Sequence, residues 1–205
     1  MNIIFKNKKI IVFDLDGTIV NLTADWIQLK DVLIGKYKKI YNDNCELKRI
    51  SKCLDRIVEK NDEEVLENFF EVIRQYELEN IQDTELIEES IFFINNKELF
   101  GVEKETKFAI LSLNTRSSII RALKIAEIYD RIAFIVGRED VRRWKPAPDG
   151  LLKIQKHFKI KKEEMVYFGD LEYDILTGQN AGIQAYYIDD LINYVSKTKN
   201  KLKKN

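Results

Sequence analysis

Four short polar stretches carry side chains that could do chemistry together: Asp14-Leu15-Asp16-Gly17-Thr18, Ser112, Lys145 and Gly169-Asp170-Leu171-Glu172-Tyr173-Asp174. Asp14, Asp170 and Asp174 are hard oxygen donors of the kind that hold magnesium, which takes a few carboxylates and completes its shell with water and phosphate oxygens. Lys145 adds a positive charge and Ser112 a small hydroxyl. A divalent cation, a lysine and a hydroxyl together neutralise the oxygens of a phosphoryl group in transfer, where positioning and electrostatics supply most of the catalysis. A carboxylate can act there as nucleophile and pass through an aspartyl-phosphate. Two aspartates flanking one leucine offer a nucleophile and an acid/base, provided their pKa values differ. Asp14, on the metal, has to stay ionised, whereas Asp16 has to hold a proton and should sit away from the metal, partly desolvated.

These stretches need a scaffold that brings them to one edge. Lys9 to Phe13 (KIIVF) reads as a strand buried on both faces. Lys107 to Leu111, Ile132 to Val136, Met165 to Phe168 and Gln184 to Ile188 read as further strands. Between and after them lie expected helices at Ser117 to Tyr129, Pro148 to Phe158, Glu172 to Asn180 and from Leu191 onward. This βαβα alternation implies an α/β fold, a Rossmann-like doubly wound parallel sheet. In such sheets ligands bind outside the carboxyl ends of the strands, which is where the four stretches fall. From Ala24 to Asn95 the apolar period becomes helical: Trp26, Leu29, Leu33, Tyr37, Ile40; Leu47, Ile50, Leu54, Ile57; Val65, Leu66, Phe69, Ile73, Tyr76; Leu86, Ile91, Phe92. The expected organisation is a catalytic core of residues 1–20 and 101–205 interrupted by a four-helix cap over 21–100.

Composition narrows the function. The 205 residues include 34 Lys+Arg and 34 Asp+Glu, a balance that argues against a nucleic-acid partner. One histidine cannot supply the paired ligands of a zinc protease. Cys45 and Cys53 form no metal or disulfide framework, which suits a reducing cytoplasm. No apolar run approaches the roughly 20 residues of a membrane span, and Lys6, Lys8 and Lys9 interrupt any apolar leader, so no membrane partner is expected. The zero charge is a cancellation: residues 21–100 hold 11 Lys+Arg against 18 Asp+Glu, a net of −7, and the remainder is +7. An acidic cap disfavours a polyphosphorylated leaving group.

The motifs resemble those of the haloacid dehalogenase (HAD) superfamily: DLDGT at 14–18, the hydroxyl at Ser112, KPAP at 145–148 and GDLEYD at 169–174, in that order. IVGREDV at 135–141 and NAG at 180–182 fit as well, and the insertion after the first motif is similar to the C1-type cap of the phosphoglycolate-phosphatase-like branch. The resemblance implies that Asp14 attacks phosphorus and that Asp16 protonates the leaving oxygen, then activates water, its carbonyl binding Mg²⁺. It further implies that Thr18 steadies this segment and counts among the phosphate-binding residues, that Ser112 holds the phosphoryl group, and that Lys145 bridges nucleophile and phosphate. Asp170 would be a direct metal ligand and Asp174 a support for the metal. An acid at Asp16 fits phosphatases, since dehalogenases lack one there. Asn114 stands one place later than the usual asparagine and is a candidate phosphate or substrate contact. Val20-Asn21-Leu22, at the hinge into the cap, departs from the usual pattern.

The implied activity is a Mg²⁺-dependent phosphatase for a small phosphorylated metabolite, phosphoglycolate or a similar phosphomonoester, in a monomer or homodimer. Phosphomutase and inorganic pyrophosphatase are the alternatives on the same fold, and a receiver-like switch or a phosphate-binding module lies outside it. Taken singly, Asp14 and Asp16 also fit strand-end turns, and Asp170 and Asp174 an N-cap and a solvated helix position. Lys30, Arg49, Lys52 and Tyr37 are the candidate cap contacts. His157 reads as a surface residue, Cys53 and the cap aromatics as packing, and Lys197 to Asn205 as a frayed, solvated end.

Overall fold

The computed structural model describes residues 5–43, 45 and 49–202. Five parallel strands form its centre: β1 (Ile10–Phe13), β4 (Lys107–Leu111), β5 (Ile132–Val136), β6 (Met165–Gly169) and β7 (Gln184–Tyr187), in the spatial order β5-β4-β1-β6-β7. Side chains alternate across a strand, and here both faces are covered. Ile11, Phe13, Phe108, Ile110, Val166 and Phe168 point into one apolar cluster, and Ile10, Val12, Ala109, Leu111, Met165 and Tyr167 into the other. The first face is covered by α4 (Glu88–Asn95), α5 (Arg116–Ile125) and α8 (Ile188–Leu202), the second by α6 (Asp149–Phe158) and α7 (Glu172–Ala181). This is the doubly wound parallel sheet the alternation implies. The carboxyl ends of β4, β1 and β6 stand side by side, which brings Ser112, Asp14 and Asp170 to one edge.

The chain leaves the core through β2 (Val20–Asn21) and returns through β3 (Glu85–Leu86), which pair antiparallel as a two-stranded neck. Between them, α1 (Trp26–Tyr41), α2 (Ile50–Glu59) and α3 (Glu63–Glu79) bury their own core of Leu29, Leu33, Tyr37, Cys53, Leu54, Ile57, Leu66, Phe69, Phe70 and Ile73. Leu47 of the expected pattern lies outside the described residues. Asp25 and Asp62 cap α1 and α3 by accepting from Gln28 N and Val65 N.

Three expectations are corrected. The fourth helix, α4, belongs with the core rather than with a cap over 21–100. Phe93 packs on Phe13 and Phe108 of the sheet, with ring centroids 6.2 and 6.1 Å away. Helical periodicity reports a buried face without saying against what it is buried. The helix expected to reach Tyr129 ends at Ile125, because Glu127 takes a left-handed φ of 55°. The expected frayed end is helical as far as Leu202, anchored by Ile188, Leu191 and Val195, and Lys199 lies over the Phe92 ring. His157 is exposed and stacks on Phe134. Among the described residues no helix is long and apolar enough to cross a membrane.

Candidate active site

The edge formed by β4, β1 and β6 floors a cavity of about 610 Å³, a volume suited to a small ligand. Asp14, Asp16, Ser112, Asn114, Lys145, Asp170 and Asp174 all line it. Asp14 is buried; its Oδ1 accepts from Leu15 N at 2.7 Å and its Oδ2 pairs with Lys145 Nζ at 2.8 Å. Lys145 is held from the other side by Asp174 Oδ1 at 2.6 Å and contacts the Tyr167 hydroxyl at 3.2 Å. Tyr167 in turn donates to Asp174 Oδ1 at 2.7 Å, and Leu171 N donates to Asp174 Oδ2 at 3.0 Å. Asp174 is thus a buried anchor whose two oxygens take protein donors, while its backbone position in the first turn of α7 is set by the chain reversal after β6.

Close backbone approach makes the arrangement possible. A Cβ on Gly169 would collide with the Asp174 carboxyl group, and one on Gly17, which also has a left-handed φ of 74°, would collide with Asp170. Glycine is required at both places.

Burial sets the electrostatics. Desolvation pushes Asp14 up to about 6, helped by the nearby Asp174 charge and opposed by Lys145. Asp170 is likewise pushed up to about 6, by burial and then by Asp174. Burial alone would lower the Lys145 ammonium, but Asp14 and Asp174 outweigh it and hold its pKa above the usual lysine value. Burial first, and Asp174 next, raise the Tyr167 phenol, which keeps it a donor. Asp16 is pushed up to about 6 by burial, against the Leu22 N–H that it accepts at 2.8 Å.

Oxygens of Asp14, Asp170 and Asp174 lie within 4.8 Å of one another. Asp170 Oδ1 is buried with no hydrogen-bond partner among the described residues. Three carboxylates against the single Lys145 ammonium leave charge that a divalent cation would balance, so the donor set fits a metal ion. Asp16's side chain is not part of this cluster.

Two sequence expectations change. Thr18 does not line the cavity: it is fully buried, its carbonyl accepts from Ser90 Oγ of α4, and its hydroxyl has no partner among the described residues, so it is not a phosphate contact. Of the candidate cap contacts, Lys30 and Arg49 line the cavity, whereas Tyr37 is sealed inside the helical insert and Lys52 is exposed elsewhere. Residues 21–100 are acidic overall, yet those they turn to the cavity are Asn21, Leu22, Trp26, Lys30, Arg49, Ile50 and Ser51, with no carboxylate among them.

Other residues at the site carry weaker sequence signals. Glu77 of α3 is 2% exposed and reaches from the insert into the core. It accepts from Thr115 N at 2.9 Å, Thr115 Oγ1 at 2.6 Å and Asn114 Nδ2 at 3.1 Å. Asn114 Oδ1 accepts from Ser112 Oγ at 2.8 Å, so an insert carboxylate fixes the serine loop. Its signal is its place four residues after Ile73, on the buried face of the helix. Trp144, beside Lys145, packs edge-on to Phe70 of α3 and donates to the Arg138 carbonyl at 2.9 Å. The Arg49 guanidinium lies 3.3 Å above the Tyr173 ring and links insert to core at the cavity. Arg138, directly after β5, also lines the cavity.

Comparison with known proteins agrees with this architecture. The chain is 29% identical over 174 residues to pyrophosphatase PpaX of Bacillus thuringiensis (84% of this chain, 79% of that one). It is 25% identical over 179 residues to pyrophosphatase PpaX of Halalkalibacterium halodurans (85% and 80%). Among solved structures it resembles a haloacid dehalogenase-like hydrolase from Bacteroides fragilis, with a TM-score of 0.59, 21% identity and coverage of 87% and 86%. A protein from Haemophilus somnus assigned by prediction as a phosphoglycolate phosphatase matches with a TM-score of 0.59, 18% identity and coverage of 93% and 92%. A family model for haloacid dehalogenase-like hydrolases matches residues 11–188, and the chain belongs to that family.

Proposed function

We propose that this hydrolase is a Mg²⁺-dependent phosphatase that acts on a small phosphorylated metabolite through an aspartyl-phosphate on Asp14. The observation that carries this reading is the division of labour among the aspartates. Asp14 is fixed by Leu15 N–H and Lys145, and Asp16 stands apart on the Leu22 N–H with its pKa raised to about 6. In this reading a carboxylate oxygen of Asp14 attacks phosphorus as the bond to the leaving oxygen breaks, and Asp16 gives that oxygen its proton. Asp16 then takes a proton from water, whose oxygen attacks the phosphoryl group and frees Asp14. Lys145 and the Ser112 hydroxyl neutralise and orient the phosphoryl oxygens, and Asp174 with Tyr167 keeps Lys145 aimed. Mg²⁺, held by Asp14, Asp170 and the Asp16 carbonyl with Asp174 behind, would supply Lewis-acid stabilisation of phosphoryl charge and keep the carboxylates ionised. The insert α1–α3 acts as a C1-type cap that excludes water and selects the leaving group.

Phosphate release from an aryl phosphate, measured with and without Mg²⁺ and in Asp14→Asn, tests this reading. Loss of activity without Mg²⁺ and in the variant is expected; equal rates in all three would sink it. Inorganic pyrophosphate is a second substrate reading, favoured by Lys30 and Arg49 on the cavity wall and by the relatives named pyrophosphatase PpaX.

A further inference from the structure

Arg138 is an unusual cation. It is 4% exposed, and its Nε and Nη1 have no hydrogen-bond partner among the described residues, yet it lines the same cavity as Asp14 and Ser112. Its backbone is fixed on both sides: its N–H donates to the Asn114 carbonyl at 2.9 Å, and its carbonyl accepts from Trp144 Nε1. A buried, unpaired charge is costly. The carboxylates that act on it through space, Glu77 and Glu139, are committed elsewhere. Glu77 is held by Asn114 and Thr115; Glu139 accepts from Arg116 N and pairs with Arg74.

Position completes the argument. Strand order places Arg138 after β5, then Ser112, Asp14 and Asp170 across the sheet. At about 4.8 Å per strand, the end of β5 is roughly 10 Å from the nucleophile's strand, on the side away from the Asp170 cluster. A phosphoryl group over Asp14 and Ser112 therefore leaves Arg138 facing the rest of the substrate.

We propose that Arg138 reads the leaving group: the substrates of this chain carry a second anion, a carboxylate or a further phosphate, that the Arg138 guanidinium binds. The planar fork suits either anion. The inference rests on the phosphatase reading for turnover, but binding tests it separately.

The experiment uses the full chain, wild type and Arg138→Met, which keeps apolar bulk and removes the charge. Calorimetry in the presence of Mg²⁺ compares methylphosphonate, phosphonoacetate and methylenediphosphonate. The affinity for a probe with two anionic groups, relative to that for methylphosphonate, is expected to be at least tenfold lower in Arg138→Met than in wild type. The probe affected, phosphonoacetate or methylenediphosphonate, identifies the second anion as carboxylate or phosphate. In turnover, the ratio of kcat/KM for the matching ester or pyrophosphate over that for ethyl phosphate falls in parallel, chiefly through KM. Removing an unpaired buried charge also leaves the melting temperature of the unliganded variant at or above that of wild type. Equal losses for all three probes, no loss, or a destabilised variant with unchanged binding ratios would each overturn the proposal. Arg138→Gln carries the same expectations should the methionine variant not fold. If Asp14→Asn hydrolyses as fast as wild type, the phosphatase reading fails while the probe ratios still decide the role of Arg138.

Discussion

Replacing Glu77 with alanine removes a carboxylate that joins the helical insert to the serine loop of the core. The side chain takes three hydrogen bonds at 2.6 to 3.1 Å in a buried setting. Thr115 Oγ1 retains Ser118 Oγ at 2.8 Å after the change, so the donors left without a partner are Thr115 N and Asn114 Nδ2. An unsatisfied buried donor costs about 1–3 kcal/mol, so two of them cost about 2–6 kcal/mol. Arg138 loses its principal through-space counter-charge at the same time. The expected destabilisation of Glu77→Ala is therefore about 2–6 kcal/mol by urea denaturation, or roughly 4–24 °C in Tm for a chain of this length. Glu77→Gln keeps the shape and most acceptor contacts but sets an amide NH₂ against Asn114 Nδ2, so about 1–2 kcal/mol is expected. A double-mutant cycle with Thr115→Val should return a coupling of about 1 kcal/mol. A Glu77→Ala loss under about 1 kcal/mol, or strict additivity with Thr115→Val, would refute the idea that this carboxylate bolts insert to core.

Other perturbations probe the same architecture. Gly169→Ala drives a methyl group into the Asp174 carboxyl; a loss of about 1–3 kcal/mol in stability should accompany a drop of at least tenfold in phosphate release, and wild-type kcat/KM would contradict the anchoring role of Asp174. Asp140 gives a pH test away from the carboxylate cluster. Burial would raise its pKa, but the Arg116 guanidinium at 2.6 Å and the Gly137 N–H outweigh it and hold the carboxyl below its usual value. Because the folded pKa lies below the unfolded value of about 4, the contribution is present at neutral pH and disappears as pH falls through the folded pKa. The stability gap between wild type and Asp140→Asn should thus be constant from pH 7 to 5 and shrink toward pH 3; a gap independent of pH contradicts the assignment.

The strands and the residues at their ends were legible without a structure because their signals are local. A parallel strand covered on both faces is largely apolar, and strands β4 and β5 span the residues expected from the sequence, Lys107–Leu111 and Ile132–Val136. The order of the strands along the chain, with Asp14, Ser112, Lys145 and Asp170 each just beyond one strand or before one helix, sufficed to gather them at one edge, since a doubly wound sheet leaves them no other place. Partnership across space was not legible. Periodicity marked α4 as amphipathic, but only packing shows Phe93 on Phe13 and thus the helix in the core. The resemblance placed Thr18 among the phosphate-binding residues, whereas its side chain is buried in the interior after the turn at Gly17. The net acidity of residues 21–100 disfavoured a polyphosphorylated leaving group, whereas only the tertiary structure shows Lys30 and Arg49 on the cavity wall with no carboxylate of the insert among its lining residues. Sequence alone therefore determined the fold family and which residue types stand at the strand ends, because those signals are local. What the cavity accepts was decided by the fold, because charge acts through distance and burial, and Glu77 and Arg138 meet neither condition until α3 and the loop after β5 close on the same space.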